Sequence, residues 1–298
     1  MECHLSKYYK AYTPYYIKES AMNNLHRIRC FLLDMDGTFY LGNRILPGAL
    51  DFMRYLADSG RNHLFFTNNS SCAAPYYAAK LKRLGWEADP EAILTSGEAT
   101  VLYLLRQKPG ASVYLLGTPE LQDEFIAAGL CLTEQNPDFV VLGFDKTLTY
   151  DKLENACRFI RMGVPFIATH PDINCPTEDG FIPDCGAMIE LIKASTGVSP
   201  YIIGKPYPEI ICSAFAKVNC PPEQMAVVGD RLYTDIMTGK NAGITSILVL
   251  SGETKRSDLA ASAVIPDYVF EDIGELAAAL SAGDQCGGER LKHIHTRD

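Results

Sequence analysis

The stretch "CFLLDMDGTFYLG" places two carboxylates one residue apart directly after an apolar run. Asp34 and Asp36 repel each other unless a cation or a shared proton lies between them. Gly37 follows at once, and because Asp and Gly are common turn residues, a plain turn is the structural alternative. A calcium loop of the EF-hand type is excluded, since Phe39 stands where that loop needs glycine and Ile45 where it needs glutamate.

Three other short segments carry side chains that would complement these carboxylates. Each follows an apolar run, and the residues concerned are Thr67, Asn68 and Asn69 in "TNNS", Lys205 in "GKPYP", and Asp230 and Asp235 in "GDRLYTD". Clustered carboxylates favour a hard cation such as Mg²⁺, which binds one or two carboxylates together with phosphate oxygens and water. Hydroxyl, amide and ammonium groups are the donors that a phosphoryl group requires. The set therefore predicts phosphoryl chemistry assisted by Mg²⁺.

Each segment also has a structural interpretation. "TNNS" is typical of a loop or a helix cap, and "GDRLYTD" of a turn before a helix with an acidic first turn. A P-loop around Lys205 is excluded, because Ser199 replaces its first glycine and Pro206 its metal-binding hydroxyl residue. Taken alone, Lys205 is typical of a solvated surface lysine. The functional hypothesis thus depends on all four segments meeting in one place.

Apolar runs of strand length recur along the chain, among them "CFLL", "HLFF", "YII", "MAVV" and "SILVL". Because these runs are continuous rather than alternating, they predict strands buried on both faces, as in a parallel sheet. Helical patterns such as "PGALDFMRYLADSG" and "PEIICSAFAKVN" lie between them. The alternation predicts an α/β fold with a doubly wound parallel sheet. All five strands, including "YII" before Lys205, are expected in this one sheet, whose carboxyl edge would bind the ligand.

The middle of the chain predicts a second, smaller α/β unit inserted into the first. It contains its own strand patterns, "VYLLG", "FVVLGF" and "PFIATH", with helical patterns between them. The first residues hold five Tyr without a period by which to pack, which predicts a disordered extension, or a gene start placed too early with Met22 as the initiator. The predicted organisation is an extension over 1–21, a core over 22–97 and 196–282, the inserted unit over 98–195, and a polar tail over 283–298.

Composition excludes several other classes of protein. The formal net charge of −9 and the lack of a basic stripe argue against a nucleic-acid partner. No stretch approaches the ~20 apolar residues of a membrane span, and residues 1–22 lack the apolar segment of a signal peptide. The ten Cys contain no C-x-x-C spacing, and no Cys and His have the spacing of zinc ligands. Scattered free thiols are typical of a reducing cytoplasm, which is the expected location.

The four motifs "DMDGT", "TNNS", "GKPYP" and "GDRLYTD" appear in the order found in the haloacid dehalogenase-like superfamily. From about residue 29 to residue 281 the chain resembles the subfamily IIA phosphatases of that superfamily, the 4-nitrophenylphosphatase and NagD-like group. The resemblance implies a Rossmann-like catalytic core whose inserted α/β unit is a cap domain. It also implies a homodimer formed through the cap.

The resemblance assigns a role to each candidate residue. It implies that Asp34 is the nucleophile that forms an aspartyl-phosphate, and that Asp36 is the general acid and base. It implies phosphate or substrate binding by Thr67, Asn68, Asn69 and Lys205, and Mg²⁺ binding by Asp34, the backbone carbonyl of Asp36, and Asp230, with support from Asp235. One position departs from the pattern. Arg231 stands where relatives often have Asn, which leaves its role open.

The leading hypothesis is a Mg²⁺-dependent phosphatase that hydrolyses small phosphomonoesters such as sugar phosphates or nucleotides. A dehalogenase of the same fold would have no use for Asp36 as a proton donor. The alternative from another class is a phosphometabolite-binding or scaffolding protein, which would be expected to have lost a reacting group. His170 and Asp172, in the loop "THPDINCPTEDGFIP", have two interpretations, as contacts to the leaving group or as turn residues.

Overall fold

A computed structural model describes residues 25–177 and 179–292, with the backbone alone from residue 285 onward. The predicted extension over 1–21 lies outside the described residues. The strands are β1 Cys30–Leu33, β2 Tyr40–Leu41, β3 Arg44–Ile45, β4 Asn62–Thr67, β5 Ile93–Thr95, β6 Ser112–Leu116, β7 Cys131–Leu132, β8 Phe139–Leu142, β9 Phe166–Ala168, β10 Asn174–Thr177, β11 Gly180–Pro183, β12 Tyr201–Ile202, β13 Met225–Gly229, β14 Thr245–Val249 and β15 Tyr268–Phe270.

Helices alternate with these strands as the sequence predicts. They are α1 Ala49–Asp58, α2 Ala74–Arg83, α3 Ser96–Gln107, α4 Pro119–Ala127, α5 Tyr150–Arg161, α6 Cys185–Thr196, α7 Pro208–Lys217, α8 Met237–Ala242, α9 Arg256–Leu259 and α10 Ile273–Lys292. One π-helical turn, Leu232–Ile236, runs directly into α8. No helix in the described part of the chain is long and apolar enough to cross a membrane.

The core sheet has six parallel strands in the order β15–β14–β13–β1–β4–β5. Its central strand β1 is buried on both faces. Phe31 and Leu33 join an apolar cluster with α1 and α10, whereas Cys30 and Leu32 join another cluster with α3 and α7. A doubly wound parallel sheet is therefore confirmed, and it explains why the strands appear as unbroken apolar runs.

A second sheet lies in the middle of the chain, with five parallel strands in the order β12–β9–β8–β6–β7. Alternate residues of β6 point to its two faces. Tyr114 and Leu116 pack in a cluster with α5 and α6, whereas Val113 and Leu115 belong to the same cluster as Cys30 and Leu32 of the core sheet. The inserted α/β unit is thus confirmed, and its core is continuous with that of the first sheet.

One predicted strand is wrong. "YII", expected in the core sheet, forms β12 at the edge of the second sheet, where Tyr201 and Ile202 pair with β9. The pairing continues past the strand, since the Gly204 N–H donates to the Thr169 carbonyl at 2.7 Å. A run of three apolar residues does not indicate which of two sheets it joins. Its place depends on which sheet has an unpaired edge strand nearby, here β9 of the second sheet. The second sheet therefore extends beyond the predicted boundary at residue 195, and Lys205 follows this sheet rather than the core sheet.

The predicted polar tail over 283–298 is in part a helix, because α10 continues to Lys292. Asp284 is held by the buried Arg61, whose Nη1 and Nη2 atoms both donate to its carboxylate at 2.9 Å. Tyr55 donates to the same carboxylate at 2.6 Å. These bonds anchor a segment whose polar composition alone suggests a solvated end. Residues 293–298 lie outside the described part.

Candidate active site

The predicted site residues meet around one small cavity at the carboxyl edge of the core sheet. Asp34, Asp36, Thr67, Asn68, Asn69 and Lys205 line it together with Asp172, Cys175, Pro176, Asp184, Arg231 and Thr234. Asp230 and Asp235 lie beside Asp34, each with a carboxylate oxygen in one group that spans less than 4.8 Å. Four motifs far apart in sequence thus form a single site, which a plain turn at Asp34 would not explain. Their individual roles stay predictions.

Lys205 is the cation at the centre of this site. Its side chain is 2% exposed, and Nζ donates to Asp34 Oδ1 and Asp235 Oδ1, both at 2.6 Å. It also donates to the Phe66 carbonyl at 2.9 Å. Burial lowers the pKa of Lys205, but the charges of Asp235 and Asp34 outweigh it, so that the pKa is raised overall. The ammonium is therefore a permanent positive charge between two carboxylates.

Asp34 extends β1 by one hydrogen bond, from its N–H to the Val228 carbonyl at 2.9 Å. Its Oδ2 accepts a hydrogen bond from Thr38 Oγ1 at 3.3 Å, while Oδ1 contacts Lys205. Burial raises the pKa of Asp34 to about 7, and the ammonium of Lys205 opposes that shift. Asp34 is thus fixed at the strand end, where a carboxylate could attack a substrate held in the cavity.

Asp36 has different partners, although it is only two residues from Asp34. Its Oδ2 accepts a hydrogen bond from the Tyr40 hydroxyl at 3.3 Å, and it does not contact Lys205. Burial raises the pKa of Asp36, with Lys80 acting in the opposite direction. A carboxyl group with a raised pKa is suited to donate and accept a proton near neutral pH.

The carboxylate group of Asp34, Asp230 and Asp235 has the composition of a site for a hard cation. Asp230 Oδ2 accepts from the Glu253 N–H at 2.6 Å, but its buried Oδ1 has no hydrogen-bond partner among the described residues. Burial, followed by the charges of Asp34 and Asp235, raises the pKa of Asp230 well above its usual range. Three oxygen ligands with an unpaired acceptor fit Mg²⁺.

Gly37 explains the end of the "DMDG" motif. Its φ of +91° lies in the left-handed region, and a Cβ there would come within 2.5 Å of Asp230 Oδ2. Any other residue would be strained and would displace the carboxylate. Glycine after the second aspartate is therefore required by the cluster that Asp34 and Asp230 form.

The segment after β4 joins the core to the second α/β unit. Thr67 Oγ1 accepts from the Asn69 N–H at 3.1 Å, and Asn69 Oδ1 accepts from the Ser71 N–H at 3.0 Å, so the loop is held by its own side chains. Asn68 Oδ1 accepts from the Lys205 N–H at 2.7 Å. Its Nδ2 donates to the Lys205 carbonyl and to Asp172 Oδ2, both at 3.2 Å. Asn68 therefore positions Lys205 with both ends of its amide.

A second set of buried charges surrounds the loop after β9, which carries His170 and Asp172. Arg231 Nη1 is 3.1 Å from Asp172 Oδ2, and His170 Nε2 is 2.8 Å from Asp184 Oδ1. Burial lowers the pKa of His170, but Asp184 outweighs it, and the pKa is raised. Sequence reasoning left His170 and Asp172 undecided and missed Asp184, which resembles a simple helix cap because its Oδ1 also accepts from the Cys185 N–H.

Arg231, whose role the sequence leaves open, contacts Asp172 and lies 2.9 Å through Nε from Glu253 Oε2. It therefore links the core to the loop after β9.

Comparison with known proteins assigns this arrangement to a family. The profile of haloacid dehalogenase-like hydrolases matches residues 31–131, and a second, HAD-hydrolase-like profile matches 202–276. An acid sugar phosphatase of Staphylococcus aureus is 40% identical over 257 residues, which cover 86% of this chain and 99% of that protein. The chain belongs to the haloacid dehalogenase-like hydrolases.

Solved structures of other haloacid dehalogenase-like hydrolases share the fold. A 4-nitrophenylphosphatase of Thermotoga maritima is 50% identical with a TM-score of 0.83, and the match covers 86% of this chain and 99% of that one. A glycerol phosphate phosphatase of Mycobacterium tuberculosis, solved in complex with calcium, is 35% identical with a TM-score of 0.77. That match covers 85% of this chain and 76% of the other. The predicted membership of the 4-nitrophenylphosphatase and NagD-like group, and of the phosphoric monoester hydrolases, is confirmed.

Proposed function

We propose that this haloacid dehalogenase-like hydrolase is a Mg²⁺-dependent phosphatase that hydrolyses small phosphomonoesters, sugar phosphates among them, through an aspartyl-phosphate on Asp34. One observation carries the proposal. Asp34 is held at 2.6 Å by the buried ammonium of Lys205, while Asp36, bonded elsewhere, lines the same cavity. A nucleophile and a separate proton donor are what a two-step hydrolysis requires.

In the first half of the reaction, a carboxylate oxygen of Asp34 attacks phosphorus and the bond from phosphorus to the leaving oxygen breaks. Asp36 gives its proton to that oxygen, so the product leaves as an alcohol. In the second half, water attacks the phosphorus of the aspartyl-phosphate while Asp36 accepts a proton from the water. Phosphate is released and both carboxyl groups return to their starting states.

Asp34, the backbone carbonyl of Asp36 and Asp230 would hold the metal ion, with support from Asp235. When bound, Mg²⁺ supplies positive charge that offsets these carboxylates and the phosphoryl oxygens. Lys205 and Asp235 contribute independently of it, since their ion pair at 2.6 Å fixes the orientation of Asp34. The unpaired oxygen of Asp230 supports this assignment.

The cavity favours small substrates. Its volume is about 30 Å³, and a single water needs roughly 10–15 Å³. Such a space accepts a phosphoryl group and little else, so the remainder of the substrate must lie outside it. The relatives named acid sugar phosphatase and glycerol phosphate phosphatase support a small phosphorylated metabolite as the partner. The non-catalytic alternative has no support from the site, because Asp34, Asp36, Lys205 and Asp230 are all present.

The test is turnover of 4-nitrophenyl phosphate and of glucose 6-phosphate by the full chain in Mg²⁺ and in EDTA. We expect hydrolysis of both esters in Mg²⁺, its loss on chelation, and its recovery when Mg²⁺ is added back. Undiminished turnover in excess EDTA would contradict the metal assignment. Absence of turnover under all conditions would contradict the proposed function itself.

A further inference from the structure

A second cleft, with a volume of about 320 Å³, adjoins the active-site cavity. Four residues line both spaces, namely Asp36, Asn69, Cys175 and Pro176. The carboxyl group assigned to protonate the leaving oxygen therefore stands at the boundary between them. The cleft is some tenfold larger than the cavity of about 30 Å³. It is the place beside Asp36 that offers room for the part of the substrate that leaves.

Two lysines line this cleft, Lys80 on α2 and Lys146 on the loop after β8. Neither forms an ion pair with a carboxylate of the described residues. Lys82, on the same helix as Lys80, does form one, with Glu87 at 2.6 Å. The two ammonium groups outnumber Asp36, the acidic residue among those that line the cleft, and therefore create a local positive field in an acidic protein.

Lys80 is held beside the reacting groups. Its Nζ lies 3.7 Å from the ring centroid of Tyr40, and the hydroxyl of that ring donates to Asp36. The ring face stabilises the cation, and no carboxylate of the described residues forms an ion pair with it, so its charge remains available to a ligand. Burial lowers the pKa of Lys80, and Asp36 acts against that shift.

Lys146 approaches the cleft from the other α/β unit. It follows Asp145, which is 1% exposed and accepts from the Thr147 N–H at 2.8 Å and from Lys152 Nζ at 2.7 Å. These bonds fix the turn while Lys146 itself stays exposed, with Nζ 5.8 Å from the ring centroid of Phe144. The two lysines therefore come from the two α/β units and line one cleft.

We propose that this cleft is the leaving-group subsite, and that Lys80 and Lys146 select phosphomonoesters whose leaving group carries a second anionic group, a carboxylate or a phosphate. The proposal rests on the proposed function and narrows its substrate class. The walls suit a short carbon skeleton, since Tyr76, Tyr77 and Ile182 also line the cleft. Its volume is at the lower end of the ~300–1,000 Å³ of small-molecule sites, so the leaving group is small.

The test compares two esters that differ in one group. Glycerol 3-phosphate and 3-phosphoglycerate have the same skeleton, but the second carries a carboxylate where the first has an alcohol. We expect the full chain to show a higher kcat/KM for 3-phosphoglycerate. Lys80→Met and Lys146→Met should each lower the ratio of the two kcat/KM values by about tenfold, as expected for loss of one hydrogen bond to a charged group.

The ratio separates selection from catalysis. Lys80 lies close to Asp36, so its loss would change the protonation of that carboxyl group, but this would affect both esters alike. Lys80→Arg should restore most of the ratio because it restores the charge. Lys82→Met is the matched control on the same helix, and it should leave the ratio unchanged because Lys82 does not line the cleft.

Two failures are distinguishable. If 4-nitrophenyl phosphate is hydrolysed but the ratio is near one, or is unaffected by both methionine substitutions, the cleft does not select anions and the phosphatase assignment stands. If no ester is hydrolysed in Mg²⁺, the proposed function is wrong and the subsite with it. A fall of the ratio in only one methionine variant would overturn the assignment of the other lysine.

Discussion

Two buried charged clusters each contribute side chains to the lining of the active-site cavity, and they differ in how their charges are paired. The core cluster consists of Asp34, Asp230, Asp235 and Lys205, and the loop cluster of His170, Asp172, Asp184 and Arg231. In each, three side chains could ligate a metal by proximity alone. In the loop cluster, however, each carboxylate has its own cationic partner. In the core cluster two carboxylates share one lysine, and Asp230 forms no ion pair with any described residue.

This difference separates a site from a structural link. A buried carboxylate without a partner costs free energy, and a bound cation would offset that cost. A carboxylate that is paired with an arginine or a protonated histidine does not need a metal ion to offset that cost. Spacing of potential ligands therefore identifies both clusters, whereas charge pairing distinguishes the one that we propose as the metal site. Substitutions in the two clusters should accordingly have different effects.

The largest expected effect is that of Asp34→Asn. Phosphomonoester hydrolysis needs accelerations of up to about 10²¹-fold, and an amide cannot form the covalent intermediate. Turnover of 4-nitrophenyl phosphate in Mg²⁺ should fall below detection, while the variant stays folded because Lys205 keeps Asp235 as an ion-pair partner. Measurable turnover by Asp34→Asn, after exclusion of deamidation by mass spectrometry, would show that another group is the nucleophile.

Asp36→Asn should have a smaller effect that depends on the leaving group. General acid–base catalysis contributes roughly 10²–10⁴-fold, so turnover should fall by that factor. 4-Nitrophenolate needs little protonation to leave, so the aspartyl-phosphate should form and then persist. Mass spectrometry of the quenched variant should show a phosphate-sized increase on the peptide that contains Asp34. Phosphate on Asp36 in the unmodified chain would reverse the two roles.

Stability without metal tests the comparison directly. In EDTA at neutral pH, Asp230→Asn should stabilise the fold by on the order of 1 kcal/mol. Burial and the charges of Asp34 and Asp235 raise the pKa of Asp230 in the fold, and this shift costs stability because the unfolded chain ionises the group. The substitution should also abolish the rise in melting temperature that we expect Mg²⁺ to produce in the unmodified chain. Asp184→Asn should instead destabilise the fold by about 1–3 kcal/mol, since His170 loses its partner. Equal changes of the same sign would remove the distinction between the clusters.

The smallest effect concerns pH and the loop cluster. The pKa of His170 is raised by Asp184 above its ordinary value, with Asp172 acting in the same direction and Arg231 against it. The ion pair therefore stabilises the fold fully below the unfolded pKa of about 6.5, and this contribution is lost as pH rises through the folded pKa. Urea unfolding should show the difference between the unmodified chain and His170→Gln shrinking by on the order of 1 kcal/mol from pH 6 to pH 9. A difference independent of pH would mean that folding does not change the pKa of His170.

The catalytic edge is predictable from sequence because its residues follow long apolar strands. The runs before Asp34, Thr67 and Asp230 have only one fold in which they are buried on both faces, and that fold places their ends together. The loop cluster offers no such signal. Asp184 resembles a helix cap, His170 and Asp172 lie in a loop rich in Pro and Asp, and Arg231 finds its partner 59 positions earlier in the chain, at Asp172.

A single sequence does not show which residues of distant segments pair with each other. The same limit explains β12, whose few residues fit either sheet, and Asp284, whose bond to Arg61 is invisible in a polar segment. Both depend on which edge or cation is free once the larger elements have packed. Long apolar patterns determine which strands and helices form the packed layers of the fold. Short segments are then positioned by the sheet edges and charged groups that remain unpaired after those layers have packed.

The shared apolar cluster of the two sheets limits how this protein could be recombined. Helices α3 and α7 pack against each other and contribute to the same cluster as Leu32 of the core sheet and Val113 of the second sheet. A chimaera that exchanged only residues 98–195 for the equivalent segment of a relative would cut α3 near its start and would omit β12 and all of α7. The shared apolar cluster would then combine side chains from two different parents, and these would leave cavities or overlap where they meet. Exchange of substrate preference by grafting would therefore need breakpoints that keep both helices with a single parent.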